Sequence, residues 1–358
     1  MSTRSRPGIT GRGHALPATI RTNDDPVFDV LKTSAPKEWQ AMFNGYDRRH
    51  VLAPGERIDT YMAQAAQAAL AQAGLAAGDV ELLLGYASVS DYAMPNALAH
   101  VHQLLGLSER CWVLPVNVEY SNFNASLLFA DALLRAGRAG NALVVCGGNW
   151  SRFVDYHEGP AASAADGAGA AVMQMTDDDA TFRVVDHETV TATQITIPPS
   201  VDPGIAPGPV ATYGHMMMGA DVVDPGRFQP PPGGRWTGTA TYTQPYFHLD
   251  AVAQDEFKTF GLSGPVKAAQ RLLARQGLQA SQVTVICHQT SRVLLDAWAR
   301  ELAPHALIET LSTFANMTLA SIPVNLSSQY ERIETDWLLL LGIGPELHAN
   351  ALLLRRRG

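Results

Sequence analysis

Three cysteines occur in the 358 residues, Cys111, Cys146 and Cys287. Their number is odd and no pair has metal-ligand spacing, so the thiols specify neither a zinc site nor a disulfide framework. Cys146 lies in an apolar run and Cys287 beside one, where a thiol reads as a small buried hydrophobe. His100 and His102 stand two apart on a helical stretch and so point to different faces, which argues against a shared metal. His288 has a different setting. It directly follows the strand-like run Val283-Thr-Val-Ile286, although a lone histidine there is by default a satisfied core residue. Gly167-Ala-Gly169 lacks the preceding strand that a dinucleotide fingerprint requires, so it implies no cofactor.

The elements that must position these residues come from a chain that is 46% hydrophobic and 17% charged, ample for one large core or two closely packed ones. A net charge of −8 without basic runs argues against a nucleic-acid surface. The closing Arg355-Arg356-Arg357 reads as a solvated tail. No apolar stretch reaches the roughly 18 to 20 residues needed to cross a bilayer, and no apolar signal core follows Arg4 and Arg6, so a cytoplasmic protein is expected.

An internal repeat organises the chain. Ala73–Ser88 reads like Gln276–Ser291, each a helix end with a glycine stop, a turn and a buried strand, 203 residues apart. Asn141–Gly147 parallels Asp336–Gly342, and Ala125-Ser126 parallels Ala320-Ser321, both 195 apart. The strands are continuous apolar runs, such as Leu82-Leu-Leu84 and Leu143-Val-Val145, which fit parallel strands buried on both faces by helices. Two similar α/β halves are therefore expected, residues 1–180 and 181–358, packed about a pseudo-twofold axis. Residues 196–248 carry Met216-Met-Met218 and Pro230-Pro-Pro-Gly-Gly234, poor core material that suits a lid or partner contact.

The order of segments resembles ketoacyl-ACP synthase III along nearly the whole chain. Ile9–Pro17 with Arg21-Thr-Asn23, then Glu38-Trp39 and Arg48-Arg-His50, are similar to that family's opening; Ala165-Asp-Gly-Ala-Gly-Ala-Ala-Val172 is the most specific match. The resemblance implies a thiolase-like fold layered αβαβα. It also implies an acyltransferase acting on acyl-carrier-protein or coenzyme A thioesters, in fatty-acid or polyketide-type specialised metabolism. In that family a cysteine at a helix N-terminus attacks an acyl thioester while a histidine and an asparagine hold the second thioester's oxygen. The latter pair corresponds to His288 and to Asn316 in Phe314-Ala-Asn-Met-Thr318.

At the nucleophile position the resemblance is broken. Counting back through Phe123 from the helix ending Leu127–Leu134 puts Tyr120 where the family has cysteine, flanked by Glu119 and Ser121. The glycine loop that offers an oxyanion donor corresponds to Gly342–His348, with Gly344 in the middle position and Pro345 beside it, which lacks an N–H. Trp39, Arg48 and Arg292 correspond to the carrier or coenzyme A entrance, while Phe43 stands where the family has an arginine. Ser90–Pro95 resembles the loop that enters the neighbouring subunit's pocket, with Met94 at its tip and Phe123 as a second pocket residue, so a homodimer is expected. Two functions follow: thioester acyl transfer or decarboxylation at His288 and Asn316 without a cysteine, or a non-catalytic subunit paired with an active condensing enzyme. Tyr120, Ser121 or Glu119 could supply a hydroxyl or a base in the first.

Overall fold

The apolar runs become the inner strands of two sheets. The computed structural model describes residues 5–35, 38–88, 96–192, 211–213, 216–218, 247–249, 251–344 and 347–357. In chain order, the first part comprises β1 (Arg6–Ala15), β2 (Ile20–Thr22), α1 (Asp29–Ser34), α2 (Trp39–Met42), β3 (Arg48–His50), α3 (Ile58–Ala73), β4 (Leu82–Ala87) and α4 (Ala97–Leu105). It continues with β5 (Trp112–Pro115), α5 (Asn122–Arg135), β6 (Asn141–Gly148), β7 (Gly167–Thr176) and β8 (Arg183–Thr191). Three short strands follow, β9 (Ala211–Tyr213), β10 (Met216–Met218) and β11 (Phe247–Leu249). The remainder is α6 (Ala251–Arg275), β12 (Val283–Cys287), α7 (Arg292–Leu302), β13 (Ala306–Ile308), α8 (Leu311–Phe314), α9 (Ser321–Ser328), β14 (Trp337–Gly344) and β15 (His348–Arg355).

The two large sheets have one topology. The first runs β1-β7-β6-β4-β5 and the second β8-β15-β14-β12-β13. In each, the fourth strand lies parallel to both neighbours (β4 to β5 and β6, β12 to β13 and β14), and the remaining pairings are antiparallel. Helices α5 and α9 pack between the sheets, with Phe123, Leu127, Leu319, Ile322 and Leu326 meeting the inner faces of both. Helices α3 and α4 cover the outer face of the first sheet, α6 and α7 that of the second. The layers are thus α-β-α-β-α. Strand β6 is buried over its whole length because both of its faces are covered, which is why its sequence does not alternate.

The pseudo-repeat reaches local geometry. Gly74 at φ 63° and Gly277 at φ 66° stop α3 and α6 in the left-handed conformation that glycine adopts without penalty, and each is followed by a 3-10 turn, Ala77–Asp79 and Ala280–Gln282, in the expected 203-residue register. The buried helices correct one sequence match. Asn122 opens α5 and Ser321 opens α9, so the pairing of Ala125-Ser126 with Ala320-Ser321 is one helical turn out of step. Each of these helices is entered through a 3-10 turn whose first residue has positive φ, Glu119 at 35° and Thr318 at 51°.

Each such entrance rests on the other half's central sheet. A Cβ on Gly342 of β14 would lie 2.7 Å from the Ser121 Oγ, and one on Gly148 of β6 would run into the Met317 carbonyl and the Thr318 side chain. Glycine is required at both crossings because nothing larger fits between strand and turn. The C-terminal arginines are not a solvated tail: Arg355 lies over the Trp337 ring at 4.7 Å, and Arg356 covers Phe182 at 4.9 Å while donating to the Ile333 carbonyl. Among the described residues no helix is long and apolar enough to cross a membrane. The proposed lid, 196–248, lies outside the described residues apart from β9 and β10 and the first two residues of β11, which pair with one another as antiparallel strands.

Candidate active site

His288 leaves the end of β12, its backbone N–H donating to Leu341 of β14 at 2.8 Å. The side chain is fully buried, and neither ring nitrogen has a hydrogen-bond partner. Burial pushes the imidazole pKa down to about 3; the nearby Thr318 backbone opposes that shift without reaching full hydrogen-bond geometry. At neutral pH the ring is therefore an uncharged donor and acceptor.

Tyr120 sits in the turn that opens α5, and its ring stacks on His288 with centroids 4.6 Å apart and planes at 12°. Beyond it lies a cavity of about 360 Å³ whose walls include Tyr120, Tyr46, Trp150, Phe257, Leu294 and Asn316. His288 does not line it. The tyrosine thus separates the cavity from the imidazole.

Asn316 is held on the cavity wall by its own loop. Its Oδ1 accepts from the Thr318 N–H at 2.9 Å, which leaves the Nδ2 protons for whatever occupies the cavity. Its carbonyl accepts from Trp150 Nε1 at 2.6 Å and its N–H donates to the Ser163 carbonyl at 3.0 Å. Thr318 stands next to both the imidazole and the carboxamide, so one turn of backbone couples the two donors. The wall is otherwise largely apolar, with Lys258 the cation among its described residues.

Other sequence candidates are placed elsewhere. Ser121 is fully buried beneath Gly342, its hydroxyl without a partner and away from the cavity, so it has no route to a substrate there. Glu119 is half-buried and faces Tyr86, whose phenol is pushed up by burial and by that carboxylate. Phe123 belongs to the core between the sheets rather than to the cavity wall. Gly344 ends β14, paired with His348, on the same side of the strand as Gly342. Arg292 is engaged by Glu309 at 2.9 Å and by Asp296 at 3.6 Å, and Arg48 is exposed on β3; neither lines the cavity. Met94 and the Trp39 side chain lie outside the described residues. His100 contacts the Asp59 carboxylate and His102 the Ser108 carbonyl, on separate sides of α4.

All three cysteines are buried and none lines the cavity; burial raises each thiol, Cys111 to about 11. Sequence reasoning passed over Tyr46, Trp150, Phe257 and Gln289. Of these only Gln289 carried a signal, its place next to His288 at the end of a predicted strand.

The family profile for 3-Oxoacyl-[acyl-carrier-protein (ACP)] synthase III matches residues 116–192, and the profile for its C-terminal part matches residues 273–356. The beta-ketoacyl-ACP synthase III of Neisseria meningitidis is 28% identical over 356 residues, covering 97% of this chain and 98% of the relative. Among solved structures, synthase III (FabH) of Pseudomonas aeruginosa superposes with a TM-score of 0.75 at 23% identity, with 99% of each chain covered. A variant of Xanthomonas campestris OleA with bound lauric acid and lauroyl-CoA superposes at 0.78 and 17% identity, covering 98% of this chain and 99% of that one. The five-layered fold is thiolase-like. Over residues 116–192 and 273–356 the chain is similar to the condensing enzymes of the ketoacyl-ACP synthase III kind, and its curated relatives of that kind match along nearly its whole length.

Proposed function

We propose that this protein is a cysteine-independent acyltransferase or decarboxylase that acts on acyl or malonyl thioesters at His288 and Asn316, in specialised metabolism of the polyketide or fatty-acid type. The observation that carries the proposal is the buried imidazole. A neutral histidine with two unpartnered nitrogens is costly to bury, by about 1–3 kcal/mol for each polar group left unsatisfied, and a thioester oxygen would accept from its N–H. The Nδ2 protons of Asn316 would supply the second donor to the same oxygen.

In decarboxylation, the bond between Cα and the carboxylate of a malonyl thioester breaks and its electron pair forms an enolate. His288 N–H and Asn316 Nδ2–H hold the enolate oxygen, CO₂ leaves, and a proton from water returns to Cα. In transfer, a bound nucleophile adds to the carbonyl carbon, the same donors hold the tetrahedral oxyanion, and the carrier thiolate departs and is reprotonated. Neither sequence forms an acyl-enzyme. The buried thiols away from the cavity support that reading, as does the presence of Tyr120 at the position to which the resemblance assigns the family's cysteine; a phenol, with a reference pKa near 10, is a poor nucleophile at neutral pH. Tyr120 must leave the imidazole face for the carbonyl to reach it, and its hydroxyl can then carry a proton.

The resemblance to ketoacyl-ACP synthase III supports an acyl-carrier-protein or coenzyme A thioester as the donor and a homodimer as the active species, with the largely apolar cavity as the place for the acyl end. Lys258 rather than Arg48 or Arg292 would meet the carrier at this wall. The test is CO₂ release from malonyl-pantetheine thioesters together with acyl transfer from acyl thioesters. His288→Ala is expected to lower turnover by about 10²-fold or more, the usual loss when one oxyanion donor is removed. A parent protein without turnover, indistinguishable from His288→Ala, would exclude the enzyme. The second reading, a non-catalytic subunit of a heterodimeric condensing enzyme, draws on the stacked Tyr120, which closes His288 off from the cavity.

A further inference from the structure

Beneath the Asn316 loop lies a set of polar side chains that neither donor explains. Gln289, fully buried, uses both ends of its amide. Its Nε2 donates to the Ala315 carbonyl at 2.7 Å and to Thr310 Oγ1 at 3.2 Å; its Oε1 accepts from the Thr310 N–H and from Asn325 Nδ2, each at 3.0 Å. Thr310 Oγ1 closes the set by donating to Asn325 Oδ1 at 2.5 Å. The ring of bonds ties the end of β12, the start of α8 and the buried helix α9 together beneath one loop.

That loop needs holding. Ala315 and Thr318 both have positive φ, 52° and 51°, a conformation that side-chain-bearing residues adopt only when their surroundings impose it. The Ala315 carbonyl precedes the Asn316 nitrogen in the same peptide unit, so the bond from Gln289 fixes the plane from which Asn316 departs. With Trp150 holding the next carbonyl and Thr318 holding Oδ1, the carboxamide has one orientation, its Nδ2 toward the cavity. Thr318 in turn borders the His288 ring.

We infer that Gln289 is a positioning residue: through its bond to the Ala315 carbonyl it sets the direction of the Asn316 donor, and it touches no substrate itself. The inference rests on Asn316 acting as a donor to the thioester oxygen, so its test separates the two. Gln289→Met keeps the side-chain length and removes every bond. In the enzymatic arm it is expected to lower kcat for thioester turnover by about 10- to 100-fold with KM changed less than about threefold. The double variant Gln289→Met/Asn316→Ala should be no slower than Asn316→Ala alone, because both changes remove one donor. Independent multiplicative losses, or a change confined to KM, would overturn the inference, since damage unrelated to Asn316 adds to its loss.

Hydrogen exchange read by mass spectrometry supplies the arm that does not depend on turnover. In Gln289→Met, backbone protection of the Asn316–Thr318 segment should fall while that of β12 and β14 is kept; unchanged protection there would overturn the inference even in an active enzyme. A parent protein without turnover whose loop still loses protection would defeat the proposed function and leave the positioning role standing. Should Gln289→Met fail to fold, Thr310→Val keeps the side-chain shape and removes only the hydroxyl. It should then show the same pattern at smaller amplitude, a severalfold loss of kcat, and an unaltered kcat would count against the relay.

Discussion

Tyr120 lies between the cavity and the His288 ring on which it stacks. The Tyr120 ring covers one face of the imidazole at 4.6 Å, and burial is what depresses the imidazole pKa. Truncating the tyrosine should join the imidazole to the cavity. In Tyr120→Ala, the His288 pKa followed by NMR of labelled imidazole should rise from about 3 toward the ordinary value near 6.5. A value that stays near 3 would mean the rest of the pocket, and not the tyrosine, keeps the ring dry. His288, Asn316 and Tyr120 were legible as candidates through the resemblance to ketoacyl-ACP synthase III, whose order of segments gives each a counterpart. Their relation was not: nothing in the spacing of 120 and 288 says that one ring will lie flat on the other. The cavity-wall aromatics Tyr46, Trp150 and Phe257 were illegible for a related reason, since an aromatic in a loop or on a helix has the same sequence signature whether it lines a cavity or fills a core.

At the scale of elements, the two helix entrances depend on close approach to a strand. Replacing Gly148 or Gly342 by alanine should cost about 1–3 kcal/mol as strand and turn are forced apart, measurable by urea denaturation. Gly148→Ala should be the more damaging, because its new methyl meets the Met317 backbone rather than a serine side chain. It should also disturb catalysis, since the displaced turn carries Thr318. Strands β4, β6, β12 and β14 were readable as buried parallel strands from their unbroken apolar runs. The Ala125-Ser126 match was misplaced by a turn because small residues recur along a buried helix at any point where it packs closely, so composition alone does not fix register. Phe123, given a pocket role by the family resemblance, is turned by helical geometry into the core between the sheets.

For the whole molecule, the buried neutral histidine makes stability depend on pH. His288 has a folded pKa of about 3, below its unfolded value of about 6.5, so below pH 6.5 the unfolded chain takes up a proton that the native state refuses. Stability from this group is full above pH 6.5 and lost as pH falls toward the folded value, by about 2 kcal/mol at pH 5 and about 4 kcal/mol at pH 3. Urea midpoints for the parent and for His288→Asn should therefore converge or cross as pH falls from 7 to 4; parallel curves would show that the imidazole is not held neutral. The pairing against a variant matters because Asp131 and Asp166, raised by burial, change with pH in the opposite sense. The duplication into two α/β halves was the most legible feature of all, since the same arrangement of strand and helix is written twice in the chain; their five-layered stacking followed from the family resemblance.

The glycine crossings give that duplication an unexpected property. Gly342, in the second sheet, forms the floor beneath the entrance that carries Tyr120, and Gly148, in the first, forms the floor beneath the entrance that leads from Asn316 into α9. The copies are interlocked, each lending support to the reactive end of the other. A chain divided between them would yield two fragments with intact strands and no site, and chemistry could return only when the fragments found each other again.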